Sequence, residues 1–143
     1  MWSTQGRIME EHICLNCGKH FIPSRNSFGK YCSNKCQLEF QYKEYIDRWK
    51  KGLESGMRGK YSLSKHIQRY ILEKYHYKCS KCGWGEENPS THRVPLEVHH
   101  IDGNYLNNAE SNLEALCPNC HSLTDTYKNN NGHKGREGRN KPL

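Results

Sequence analysis

The sequence predicts a small α+β protein stabilised by zinc. Three observations lead there: eight cysteines in paired spacing, two stretches of helical apolar periodicity, and a short alternating strand pattern beside the second group of cysteines. At 143 residues the chain has room for one ordinary domain or two very small ones. Apolar residues make up 34% of it and the mean hydropathy is −1.05, so a large hydrophobic core is excluded. Domains this short of core depend on metals or disulfides.

The cysteines fall into two groups of four. Cys14-x2-Cys17 and Cys32-x3-Cys36 form the first, Cys79-x2-Cys82 and Cys117-x2-Cys120 the second. Each group supplies the four thiolates that close a tetrahedral structural zinc site. Met1–Arg7 leads into no apolar run, and no stretch approaches membrane-spanning length. A reducing, cytoplasmic setting without a membrane partner is therefore expected, where CxxC spacing reads as zinc rather than disulfide.

The elements follow in order. In YCSNKC, Cys36 stands at the start of a helix with Ser33 or Asn34 as its cap. Leu38, Tyr42, Tyr45, Ile46 and Trp49 recur at helical spacing, and Gly52 closes the helix after Lys50 and Lys51, whose charge suits its C-terminal end. Residues 1–51 are thus expected as a zinc knuckle and helix. Residues 52–62, with three glycines and no periodicity, read as a linker. A second helix is expected from about Ser64 to His76, with Leu63, Ile67, Tyr70, Ile71 and Tyr75 on its apolar side. Leu96 and Val98 alternate with Glu97 and His99 as a strand, Asp102-Gly103-Asn104 signals a turn, and Leu113–Leu116 makes a return strand. Pro118 then starts a helix expected to carry His121 and Asp125. Residues 129–143 are polar, basic and Gly-rich, which reads as a disordered tail.

Between the two CxxC pairs of the second group lie His99 and His100, then Asn112, and His121 directly follows Cys120. Closing one zinc site with those cysteines draws the ends of the segment together and the histidines toward one pocket. As neighbours on a strand, His99 and His100 point to opposite faces. One can therefore meet His121 across to the helix while the other serves a different task.

The stretch LEVHHIDGNYLNNAESNLEALCPNCHSLTD, preceded by YKCSKCGW, resembles the HNH endonuclease family. The resemblance covers roughly residues 65–128, within an expected domain of residues 63–128. It implies a ββα-metal module, with His99 and His121 as ligands of a catalytic divalent cation, His100 as the general base and Asn112 as the central asparagine. It further implies a metal-dependent DNA endonuclease that leaves 5′-phosphate and 3′-hydroxyl ends. Small free-standing HNH enzymes of bacteriophages, often homing enzymes, are similar, which implies a phage-encoded protein acting in a bacterial host. Two histidines make a softer site than an oxygen-rich one, so Mg²⁺, Mn²⁺, Ni²⁺ or Co²⁺ are all expected to serve. Asp125, four residues after His121, is the candidate for a missing carboxylate ligand.

Charge is unevenly spread within the formal total of +7: residues 41–78 carry +6 and residues 128–143 carry +4, while residues 79–127 carry −5. A nuclease so composed grips phosphates with its flanks and cuts with its centre. Arg25, Lys30, Lys35, Arg48, Lys50, Lys51, Arg58, Lys60 and Arg69 are the candidate contacts to double-stranded DNA. One active site per chain points to a monomer or weak dimer that nicks one strand unless two copies meet. The competing reading is a non-catalytic zinc protein that binds DNA or a phage packaging partner.

Overall fold

A computed structural model of the protein describes residues 10–24 and 28–127. Arg25, the leading residues 1–9 and the basic tail lie outside the described residues. The chain divides into two compact units at Tyr45/Ile46. The boundary falls inside the first helix rather than in the Gly-rich segment.

The first unit is built around its cysteines. Strands β1 (His12–Ile13) and β2 (His20–Phe21) pair antiparallel on either side of the Cys14–Cys17 turn. Gly18 turns the chain there at φ +71, a conformation that side chains with a Cβ resist. Helix α1 (Asn34–Lys50) begins where Ser33 Oγ accepts the Cys36 N–H at 3.2 Å, the capping bond that the sequence suggests. Of its expected apolar stripe, Tyr42, Ile46 and Trp49 are buried, but Leu38 is 57% exposed.

The second unit starts within α1 and contains the rest of the described chain. Residues 52–62, expected as a linker, instead fold back into a hairpin of β3 (Met57–Arg58) and β4 (Ser62–Leu63). Its glycines make tight backbone geometry rather than slack. Gly56 sits at φ +75, and a Cβ there would lie 2.8 Å from both Ile67 Cδ1 and Asn108 Cβ. Gly56→Ala is accordingly expected to destabilise this unit by about 1–3 kcal/mol, read from denaturant unfolding. An unchanged midpoint would show that the hairpin is not packed as described.

Helix α2 (Lys65–Lys74) is capped by Ser64, whose Oγ accepts the His66 N–H. It buries Ile67 and Ile71 completely. These meet the sheet formed by β5 (Glu97–His100) and β6 (Leu113–Leu116), paired antiparallel so that His99 faces Glu114 and His100 faces Leu113. Helix α3 (Pro118–Ser122) also packs on β5 and β6. It ends at Ser122, so Asp125 lies beyond it in a turn rather than on its face. Leu123 takes the cap position, and the hydroxyl of Thr124 bonds the His121 carbonyl at 2.8 Å, drawing the chain out of helical register.

Candidate active site

The two cysteine groups assemble within their own units. In each, four sulfur atoms lie within 4.8 Å of one another. Sulfur–sulfur separations of 3.7 Å (Cys17–Cys32) and 3.8 Å (Cys82–Cys117) match the edge of a tetrahedron with metal–sulfur bonds of about 2.3 Å. The backbone is preorganised for thiolates. Burial works against ionisation of Cys79, but the N–H groups of Cys117, Cys82 and Lys81 aimed at its sulfur outweigh it and lower its pKa to about 6. Cys14 follows the same scheme, with burial overcome by the N–H groups of Cys32, Cys17 and Asn16, and also falls to about 6. Cys79, Leu116 and Cys117 form a small core with Trp84 and Leu96, so this cluster holds the β5–β6 sheet to the loop before it.

That sheet distributes the histidines. His99 points toward α3, where its ring centroid lies 5.2 Å from that of His121 in an edge-on arrangement. Burial, and next the proximity of His121, hold the His99 ring below its ordinary pKa, which keeps it neutral and able to ligate a cation. Its Nε2 lies 3.3 Å from Thr126 Oγ1. Glu97, two residues earlier on the same strand face, contacts His121 Nδ1 with its carboxylate. His100 faces the other way, with Nε2 2.7 Å from Asn108 Oδ1, and lines a cavity with Tyr61, Gln68 and Tyr105.

Asn112 is 8% exposed and ties the connecting loop together. Its Oδ1 accepts the Asp102 N–H at 3.0 Å, and its Nδ2 donates to Asp102 Oδ1 and to the Asn107 carbonyl, both at 2.8 Å. Asn107 completes the knot by donating to Asp102 Oδ2. A long loop of polar residues is thereby held without an apolar core of its own.

Residues 79–125 match the HNH endonuclease family. This segment is an HNH endonuclease domain. A curated relative, H-N-H endonuclease F-TflIV of Escherichia phage T5, is 36% identical over 91 residues, which cover 62% of the present chain and 39% of that protein. The chain therefore spans about two fifths of the length of this relative. No solved structure matches the chain.

Within the HNH domain, the structure brings His99 and His121 together and sets His100 on the opposite strand face. Asp125 is not joined to them as the expected third ligand. Among the described residues, only the cysteine groups gather three or more candidate ligand atoms within 4.8 Å. Asp125 is exposed and borders the shallow cavity beside His99, while the carboxylate that touches a candidate ligand is that of Glu97. Asp125 does not share a helix face with His121 because α3 stops one residue after His121. Glu97 was legible in principle, since alternate strand residues share a face.

The basic candidates divide. Arg48 pairs with Glu54 at 2.8 Å, Lys51 with Asp47 at 2.6 Å, Arg69 with Glu73 at 2.7 Å, and Lys50 lies 3.9 Å from Glu110 and over the Tyr70 ring. Lys30, Lys35, Arg58 and Lys60 have no carboxylate partner among the described residues. Acids one turn away take up Lys51 and Arg69, a cost that the count of charges conceals.

Proposed function

We propose that the chain is a metal-dependent DNA endonuclease that hydrolyses phosphodiester bonds through a water activated by His100. The observation that carries this reading is the division of labour across β5, inside the HNH domain. His99 and His121 converge on one side of the strand, and His100 stands on the other.

The donor set fits a divalent cation: two imidazoles, one buried and neutral, the other held through Nδ1 by Glu97 so that Nε2 is left for a ligand. His99 and His121 would hold the cation, which would supply stabilisation of the charge that develops during phosphodiester hydrolysis. His100 takes the proton of the attacking water, worth roughly 10²–10⁴-fold. Asn112 keeps the loop rigid so that His100 holds its direction. Mg²⁺, Mn²⁺, Ni²⁺ and Co²⁺ are the candidate ions, and 5′-phosphate and 3′-hydroxyl the expected ends.

Glu97→Gln is expected to weaken binding of Mn²⁺ by roughly 10–100-fold in calorimetry, with zinc content unchanged, because the ring of His121 loses its charged partner. Equal Mn²⁺ affinity in the two proteins would remove Glu97 from the site.

Double-stranded DNA is the proposed substrate, with Lys30, Lys35, Arg58 and Lys60 as the readiest phosphate contacts and the paired Arg48, Lys50, Lys51 and Arg69 as secondary ones. A nicking or homing role in the cytoplasm of a phage-infected bacterium, as a monomer or weak dimer, agrees with the phage relative. No helix among the described residues is long and apolar enough to cross a membrane. The test is conversion of supercoiled plasmid to open circles with Mg²⁺ or Mn²⁺. DNA binding without any cleavage, in protein carrying its zinc, would favour the non-catalytic alternative.

A further inference from the structure

Asn108 is 6% exposed, and every polar atom of its side chain is engaged. Its Nδ2 donates to the Ser55 carbonyl at 3.1 Å and approaches Met57 Sδ at 3.0 Å, while Oδ1 meets His100 Nε2 at 2.7 Å. Its backbone carbonyl accepts the indole N–H of Trp49 at 2.9 Å. Gly56, between Ser55 and Met57, leaves room only for the Asn108 Cβ that is there.

This set of partners fixes the direction of the amide. Ser55 O and Met57 Sδ are acceptors, so they require the NH2 side, and the oxygen must face His100. An amide oxygen only accepts, so Nε2 of neutral His100 carries the proton and Nδ1 keeps the lone pair. Nδ1 has no partner among the described residues. Turning the amide over would set oxygen against oxygen at Ser55.

We propose that Asn108 is the positioning residue of the general base: it selects the His100 tautomer whose Nδ1 is basic and holds the ring. The segment Trp49–Met57, which precedes the matched residues 79–125, sets Asn108 in turn. The proposal deepens the assignment of His100 as base and rests on it. Asn108 is separate from Asn112, whose bonds go to Asp102 and Asn107.

The experiment uses the full chain with its zinc bound and compares Asn108→Ala and Asn108→Asp with the parent. Nitrogen-15 NMR reads the tautomer of the neutral His100 ring, and plasmid nicking gives kcat and KM separately. In the parent, Nε2 is expected to be protonated. Asn108→Ala is expected to mix the tautomers and lower kcat roughly 10–100-fold, as loss of a ring-orienting partner does elsewhere, with KM and zinc content unchanged. Asn108→Asp keeps an acceptor at Nε2 but loses the donor to Ser55 O, so it is expected to retain that tautomer at a cost in stability, read from its melting temperature.

A parent ring protonated at Nδ1 overturns the proposal, as does unaltered kcat in Asn108→Ala, or a folded Asn108→Asp protein whose neutral ring is protonated at Nδ1. Should Asn108→Ala fail to fold, the tautomer of the parent ring decides the matter. His100→Ala, run alongside, separates the two levels. If it cuts at the parent rate the base assignment fails, whereas an inactive His100→Ala beside a fully active Asn108→Ala refutes the role of Asn108 alone.

Discussion

Replacing His100 by alanine is expected to cut plasmid nicking by roughly 10²–10⁴-fold while DNA binding and zinc content stay as they were. The separation is possible because the ring does little for the fold. It is half-buried beside a cavity, and among the described residues its ring has one polar tie, to Asn108. The hydrophobic contacts that hold the sheet come from Ile67, Ile71, Leu113, Ala115 and Leu116, none of which the substitution removes. KM for DNA should change little, because a base acts on the water and not on the phosphate grip. A His100→Ala protein that nicks as fast as its parent would end the proposed chemistry.

Stripping the metal from the second cysteine group is expected to abolish cooperative unfolding of the HNH domain altogether. Its completely buried side chains are few, and Cys79 and Cys117 are themselves part of the core beside Leu116. Structural zinc sites of this type contribute about 10–16 kcal/mol in apparent binding energy. A domain has only about 5–15 kcal/mol of net stability, so the site outweighs the rest of the fold. The backbone N–H groups that lower Cys79 to about 6 have a favourable role only toward a thiolate, and four close sulfurs without a cation repel one another once ionised. Cys117→Ser should act as the chelator does. The check is circular dichroism melting beside a measured zinc content, and a sharp transition at the parent temperature in zinc-free protein would refute it.

Much of the site could be read along the chain because it depends on local spacing. The cysteine pairs, the adjacent histidines and the later asparagine and histidine mark the HNH domain, and their periodicity places them on a strand, a loop and a helix. The capping serine of α1 was legible for the same reason: a cap bonds an amide two or three residues away. Local rules failed where an element's length decided the outcome. Asp125 satisfied i,i+4 spacing from His121, but α3 is five residues long.

Residue type and short-range spacing alone picked out the candidate ligating and titrating side chains and the two groups of four cysteines. Tertiary structure alone decided which polar partners orient those groups. Glu97 reaches His121 across the gap between β5 and α3, and Asn108 reaches His100 only because a hairpin more than fifty positions earlier clamps its amide. Such contacts leave no periodic trace, because their spacing along the chain is set by how loops close and not by the repeat of a helix or strand.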